Sequence, residues 1–158
     1  MKQNLSWNRI TPNLCVGAYP ESPEVLDFLK SEVGVTGVLN LQSDKDLYRR
    51  AIHWNGMWKA YVGRGMEIVR VPITDLQPAD LARHLEDAVK ALDQLAKRHD
   101  QVYVHCNVGL NRSPTVAIAY LVHKGAGIQE AHDLVMDARE VIPYMDVVEG
   151  WWQNRKSV

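Results

Sequence analysis

Apolar positions along this chain follow two patterns: short runs almost free of charge, and longer stretches in which they recur at helical spacing. Leu14-Cys15-Val16-Gly17 is the first short run and reads as a strand. Ser22-Pro23-Glu24 then offers an N-cap and a proline at the first helical position, which predicts a helix through about Leu29. Val35 to Leu41 is apolar and β-branched, as a strand buried in a parallel sheet is, and Glu67 to Ile73 repeats that character. A polar, tryptophan-containing excursion separates the two. From Pro78 to His99, the positions Leu81, Leu85, Val89, Leu92 and Ala96 mark one face of a long helix. Val102 to Cys106 is again a short strand. Ser113-Pro114 opens a helix whose residues Val116 to Val122 are apolar all round, which predicts a central position. Ile128 to Glu140 and Met145 to Arg155 complete the helices, the last anchored by Trp151 and Trp152. Strands alternating with helices predict an α/β fold in three layers, with a central, mostly parallel sheet of about four or five strands flanked by helices.

Length and composition narrow the class. The chain of 158 residues suits one domain, 1–158, with no repeat or linker to divide it. Its 18 Lys+Arg against 19 Asp+Glu give a net charge of -1, which argues against a nucleic-acid or membrane-surface protein held by bulk charge. No apolar run is long enough to span a bilayer, and the opening residues lack a signal-peptide core, so a cytoplasmic location is expected; a monomer is expected as well. Cys15 and Cys106 read as free thiols, because a chain of this length can build a core without a disulfide. His53, His84, His99, His123 and His132 make no metal-ligand spacing with either cysteine, and no metal or other cofactor is expected. A nucleotide-binding Gly-x4-Gly-Lys-Ser/Thr loop is also absent.

The chemistry concentrates in His105-Cys106-Asn107-Val108-Gly109-Leu110-Asn111-Arg112-Ser113-Pro114-Thr115, between a strand and a helix. Successive backbone N–H groups in such a loop converge on an anion, and the following helix points its positive end into the same space. A phosphate fits there. Arg112 is placed to grip two phosphate oxygens, which makes Asn107, Val108, Gly109, Leu110, Asn111 and Arg112 the candidate substrate-binding set. The same amides favour the thiolate of Cys106, so a nucleophile exists without a metal. Ser113 offers a hydroxyl to that sulfur, and Gly109 permits close backbone approach. Attack on phosphorus also needs a general acid for the leaving oxygen. Asp75, just after a strand and before the long helix, is the candidate; Asp80, inside the first helical turn, is the runner-up and better suited to stabilising the helix end.

Val102 to Thr115 resembles the signature of the cysteine-dependent protein tyrosine phosphatase superfamily, Cys-x5-Arg followed by Ser. The dual-specificity branch is the best match, through Thr11 to Gly17, Val38-Leu39-Asn40-Leu41, Asp75 placed 31 residues before Cys106, and Ala131-His132. Within it, Tyr103-Val104-His105-Cys106-Asn107 and Ala117-Ile118-Ala119-Tyr120 are most similar to glucan phosphatases of the laforin and plant starch type. Those enzymes usually carry Gly before the loop arginine and an aromatic after the acid, where Asn111 and Leu76 stand here. The resemblance implies phosphomonoester hydrolysis through a phosphocysteine, with Cys106, Arg112, Asp75 and Ser113 as catalytic residues. Phosphoproteins, phosphorylated carbohydrates and inositol phosphates are the substrate classes; a phosphate-binding module without turnover is the alternative.

Other residues have two readings at this stage. His105 either supports Cys106 from behind or is a core histidine at a strand end. Asn107 and Asn111 contact substrate or satisfy the loop backbone. Tyr19, Trp54, Trp58 and Tyr61 frame a substrate or cover the core. Cys15 reads as buried filler rather than a redox partner of Cys106.

Overall fold

The computed structural model describes residues 4–157. Strands β1 (Trp7–Thr11), β2 (Leu14–Gly17), β3 (Gly37–Asn40), β4 (Glu67–Arg70) and β5 (Val102–His105) form one sheet in the order β1-β2-β5-β3-β4. β2, β5, β3 and β4 are parallel, and β1 turns back antiparallel on β2 at the edge. Four strands stand where the apolar runs predict them, within a few residues at each end. β1 has no such run: Trp-Asn-Arg-Ile-Thr is only partly buried, and its place follows from the tight turn at Pro12-Asn13.

Side chains alternate between the two faces as the two-residue period requires. Cys15, Val38, Ile68 and Tyr103 face one layer, made by α1 (Pro23–Phe28), its π-helical continuation Leu29–Val33, α2 (Asp44–Arg49) and α3 (Trp54–Val62). Leu14, Val16, Leu39, Val102 and Val104 face the other, made by α4 (Pro78–Arg98), α5 (Arg112–His123), α6 (Ile128–Ala138) and α7 (Met145–Lys156). The three layers expected from the sequence are present. α4 buries Leu81, Leu85, Val89 and Leu92 as its spacing predicts, and α5 is buried at every position from Arg112 to Val122.

α2 and α3 lie within the polar excursion, where the sequence predicts no element. Both are short. Ser43 starts α2 with a reciprocal cap: its Oγ accepts from the Asp46 N–H at 3.1 Å, and its own N–H donates to Asp46 Oδ2 at 2.9 Å. α3 buries Met57 and Tyr61, so Tyr61, 1% exposed, covers the core. Cys15 and Cys106 are both free and lie in different layers, with the sheet between them. Burial pushes the Cys15 thiol up to about 11, in line with inert filler. Among the described residues no helix is long and apolar enough to cross a membrane.

Candidate active site

The parallel strands β2, β3 and β5 end at one edge, and the loop from Cys106 to Asn111 leaves β5 there before α5 begins. That is the edge at which open α/β sheets bind ligands. Cys106 Sγ lies 3.4 Å from Ser113 Oγ, the two buried together. The hydroxyl is thus positioned to donate to a thiolate.

Arg112 is 1% exposed, and the two edges of its guanidinium differ. Nη1 donates to Asp46 Oδ2 at 2.6 Å and to the Ile73 carbonyl at 2.8 Å. Nε makes no hydrogen bond and stands 3.4 Å from Asp75 Oδ1. One edge is fixed and the other is free, the arrangement that presents two parallel donors to phosphate oxygens.

Asp46 has no role in the sequence reading; its only signal is the Ser43-x-x-Asp46 spacing of a capping box. Its carboxylate also accepts from Asn107 Nδ2 at 2.9 Å. Burial works to raise its pKa, but the bonds from Arg112, the Ser43 amide and Asn107 prevail and hold it below the usual carboxylate range.

Asp75 stands at the mouth of this site with a partly exposed side chain. Backbone bonds from Val71 to Asn40 (3.0 Å) and from Ile73 to Leu41 (3.1 Å) carry the β4 segment past its last strand residue and bring Asp75 alongside β3 and β5. Leu76 follows with φ of +58°, and its N–H donates back to Asp75 Oδ1 at 3.0 Å. Left-handed backbone at a leucine is strained, and such strain clusters at functional sites. Asp80 is used differently: Oδ2 accepts the Thr74 N–H at 2.8 Å and Oδ1 pairs with Arg83 at 2.9 Å. It staples the loop to the start of α4.

The loop itself is braced on every side. Gly109 has φ of +74°, and a Cβ there would meet the Gly17 backbone at 2.6 Å and Arg139 Nη2 at 2.7 Å. Arg139, just past α6, donates to the Gly109 carbonyl at 2.8 Å and to the Val108 carbonyl at 3.0 Å. No sequence signal singles it out. The Asn107 side chain is held by Asp46 and by Gln42 Nε2 at 2.9 Å, and Asn111 Nδ2 donates to the Ile142 carbonyl at 2.7 Å. Both asparagine side chains therefore satisfy the protein, and Val108 and Leu110 are left facing solvent. His105, fully buried, donates from Nδ1 to the Cys106 carbonyl at 3.0 Å and leaves Nε2 without a partner. Burial lowers its pKa to about 4, so it is a neutral brace.

A thiol at the start of the loop, a buried arginine at its end and a carboxylate across the mouth define the class of cysteine-based phosphatase domains. The chain belongs to the dual-specificity phosphatase family: the family model described as "Dual specificity phosphatase, catalytic domain" matches residues 16–148. It is 33% identical over 148 residues to Phosphoglucan phosphatase DSP4, amyloplastic, of Castanea sativa, covering 92% of this chain and 39% of that protein. With Laforin of Mus musculus it shares 29% identity over 155 residues, covering 91% of this chain and 47% of that protein. The chain thus spans less than half the length of these relatives. Among solved structures, PTPMT1 in complex with PI(5)P matches with a TM-score of 0.77 and 22% identity over 96% of this chain and 97% of that one. Human DUSP28 matches with a TM-score of 0.74 and 24% identity over 95% and 98% of the two chains. These two likenesses show the fold.

Proposed function

We propose that this chain is a phosphatase domain that hydrolyses phosphomonoesters through a phosphocysteine on Cys106, with phosphorylated carbohydrate as the first substrate class and phosphoprotein as the second. The observation that carries the reading is Arg112, clamped along one edge by Asp46 and the Ile73 carbonyl and free along the other beside Asp75. A phosphoryl group seated on the free edge is within reach of the Asp75 carboxyl.

The Cys106 thiolate attacks phosphorus and forms the S–P bond while the ester O–P bond breaks, and Asp75 gives its proton to the departing oxygen. Arg112 and the amides from Asn107 to Asn111 follow the charge on the three remaining oxygens. Water then attacks phosphorus with Asp75 as base, the S–P bond breaks, and Ser113 donates a hydrogen bond to the leaving sulfur. Inorganic phosphate and the alcohol are the products.

The ranking of carbohydrate first rests on the two long relatives above, named for phosphoglucan phosphatase and laforin. The test is phosphate release from a phosphorylated glucan, a phosphotyrosine peptide and p-nitrophenyl phosphate, with Cys106→Ser as control. Turnover by the wild type that is abolished in the variant, and is faster on the glucan, is expected. Faster peptide turnover overturns the ranking, and release from none of the three overturns the phosphatase reading.

A further inference from the structure

A depression of about 400 Å³ opens beside the catalytic loop, and its wall brings Lys45, Arg49 and Arg50 together with Asp75 and Asn107. Lys45 and Arg49 belong to α2, and Arg50 caps its end. The acids of the same segment are engaged elsewhere: Asp44 pairs with Arg70 at 2.8 Å and Asp46 with Arg112 at 2.6 Å. Arg50 meets Glu21 at 3.0 Å, whereas Lys45 and Arg49 are exposed and form no ion pair among the described residues. In a chain of net charge -1, this concentrates positive field on one wall of the entrance to the site. A lone phosphomonoester held by Arg112 and the loop has no use for that wall, because Arg112 and the loop amides already meet its oxygens.

We propose that Lys45 and Arg49, with Arg50 at their side, form a subsite for a second phosphate carried by the substrate, a phosphorylated sugar or polyol bearing another phosphate on the same ring. One phosphoryl group sits over Cys106 and is hydrolysed; the other rests on the α2 wall and orients the ring. The inference rests on the phosphatase reading and names the substrate feature that the neighbouring wall selects. Two exposed cations on one phosphate dianion supply a discrimination of about tenfold, and because they are exposed it fades in salt.

The experiment compares kcat/KM for glucose 1,6-bisphosphate with that for glucose 6-phosphate, and for an inositol bisphosphate with that for an inositol monophosphate. The wild type is expected to favour the bisphosphates about tenfold at low ionic strength, and Lys45→Gln/Arg49→Gln to bring the ratio close to one. Lys90→Gln, on the exposed face of α4 twelve residues from its start, removes a charge far from the wall and is expected to keep the wild-type ratio. Calorimetric binding to Cys106→Ser reads the same preference without turnover. A wild-type ratio near one, or a double variant that keeps the preference, overturns the subsite. Failure to release phosphate from the glucan, the phosphotyrosine peptide, p-nitrophenyl phosphate and the sugar phosphates alike overturns the phosphatase reading instead, and binding to Cys106→Ser then decides the subsite alone.

Discussion

Asp46 Oδ2 stands 2.6 Å from Arg112 Nη1, in a pair whose side chains are 7% and 2% exposed and whose residues lie 66 positions apart. Removing two charges from water is unfavourable, and the pair is tolerable because the remaining lone pairs of the carboxylate are taken by the Ser43 amide and Asn107. What the pair achieves is orientation. With Nη1 fixed, the guanidinium plane is held, and its Nε stands 3.4 Å from Asp75 Oδ1. A helical cap in the excursion, Arg112 and the Cys106 loop are thus one hydrogen-bonded unit.

Removing Asp46 should therefore weaken both stability and turnover. Asp46→Ala leaves the buried Arg112 with the Ile73 carbonyl as its remaining hydrogen-bond partner and the partly exposed Asp75 carboxylate 3.4 Å away, and is expected to destabilise the fold by about 3 kcal/mol. Asp46→Asn keeps the shape, should lose less stability, and should still lower kcat/KM by at least tenfold as the guanidinium loosens. Because the folded-state pKa of Asp46 is depressed, its stabilisation is present above the ordinary carboxylate pKa and lost as pH falls through the lower folded value. Urea denaturation and steady-state kinetics check both variants. An unchanged midpoint for Asp46→Ala refutes the account of the pair.

Much of this molecule was legible in its residues, and the parts that were not share a physical cause. Strands buried on both faces and the long helix from Pro78 to Arg98 advertise themselves, because burial requires runs or periodicity that nothing else explains. Cys106, Arg112, Ser113 and Asp75 stood out because their chemistry fixes residue type and local context together. Asp46 and Arg139 did not, since a carboxylate in a six-residue helix and an arginine after α6 are ordinary surface residues until the fold buries them. β1 was missed for a similar reason: an edge strand that is only partly buried needs no apolar run.

Asp75→Ala should separate substrates by leaving group. Alkyl esters depart as poor leaving groups and need the proton, so their kcat should fall about 10²- to 10⁴-fold. p-Nitrophenyl phosphate, whose phenoxide leaves readily, should lose far less. Asp80→Ala releases Thr74 from the start of α4 and should lower both substrates together, through the position of the loop rather than proton transfer. Equal losses on both substrates in Asp75→Ala, measured by phosphate release, would remove it as the acid.

Gly109→Ala tests how tightly the loop is fitted. The left-handed φ alone costs a residue with a Cβ about 1–2 kcal/mol, and that carbon would also press on the Gly17 backbone and Arg139. Activity should drop to near background with a lowered melting temperature. Arg139→Met frees the Gly109 and Val108 carbonyls from their donor and should lower kcat more than it raises KM for p-nitrophenyl phosphate, because the loop can still close on phosphate but not hold its transition-state shape. A Gly109→Ala protein with wild-type turnover contradicts the fit.

His105 makes stability depend on pH in a window of its own. Burial lowers its pKa from the ordinary 6.5 to about 4, so the folded state leaves the ring neutral where the unfolded chain protonates it. The sign follows: the contribution is complete above pH 6.5, is lost as pH falls toward 4, and amounts to about 3 kcal/mol across that interval. Asp46, Glu67, Asp80, Asp93 and Asp133, whose carboxyls are also depressed, lose their stabilisation only at and below the ordinary carboxylate range, so the windows barely overlap. His105→Asn offers an amide N–H to the Cys106 carbonyl in place of Nδ1–H, does not titrate, and removes the unpartnered Nε2. Its unfolding free energy should therefore be nearly flat between pH 4.5 and 6.5, where that of the wild type climbs by about 1.4 kcal/mol per pH unit at its steepest. Parallel curves from denaturant titrations of the two proteins would mean that the buried ring accepts a proton without penalty, and the role of His105 as a neutral brace under Cys106 would have to be abandoned.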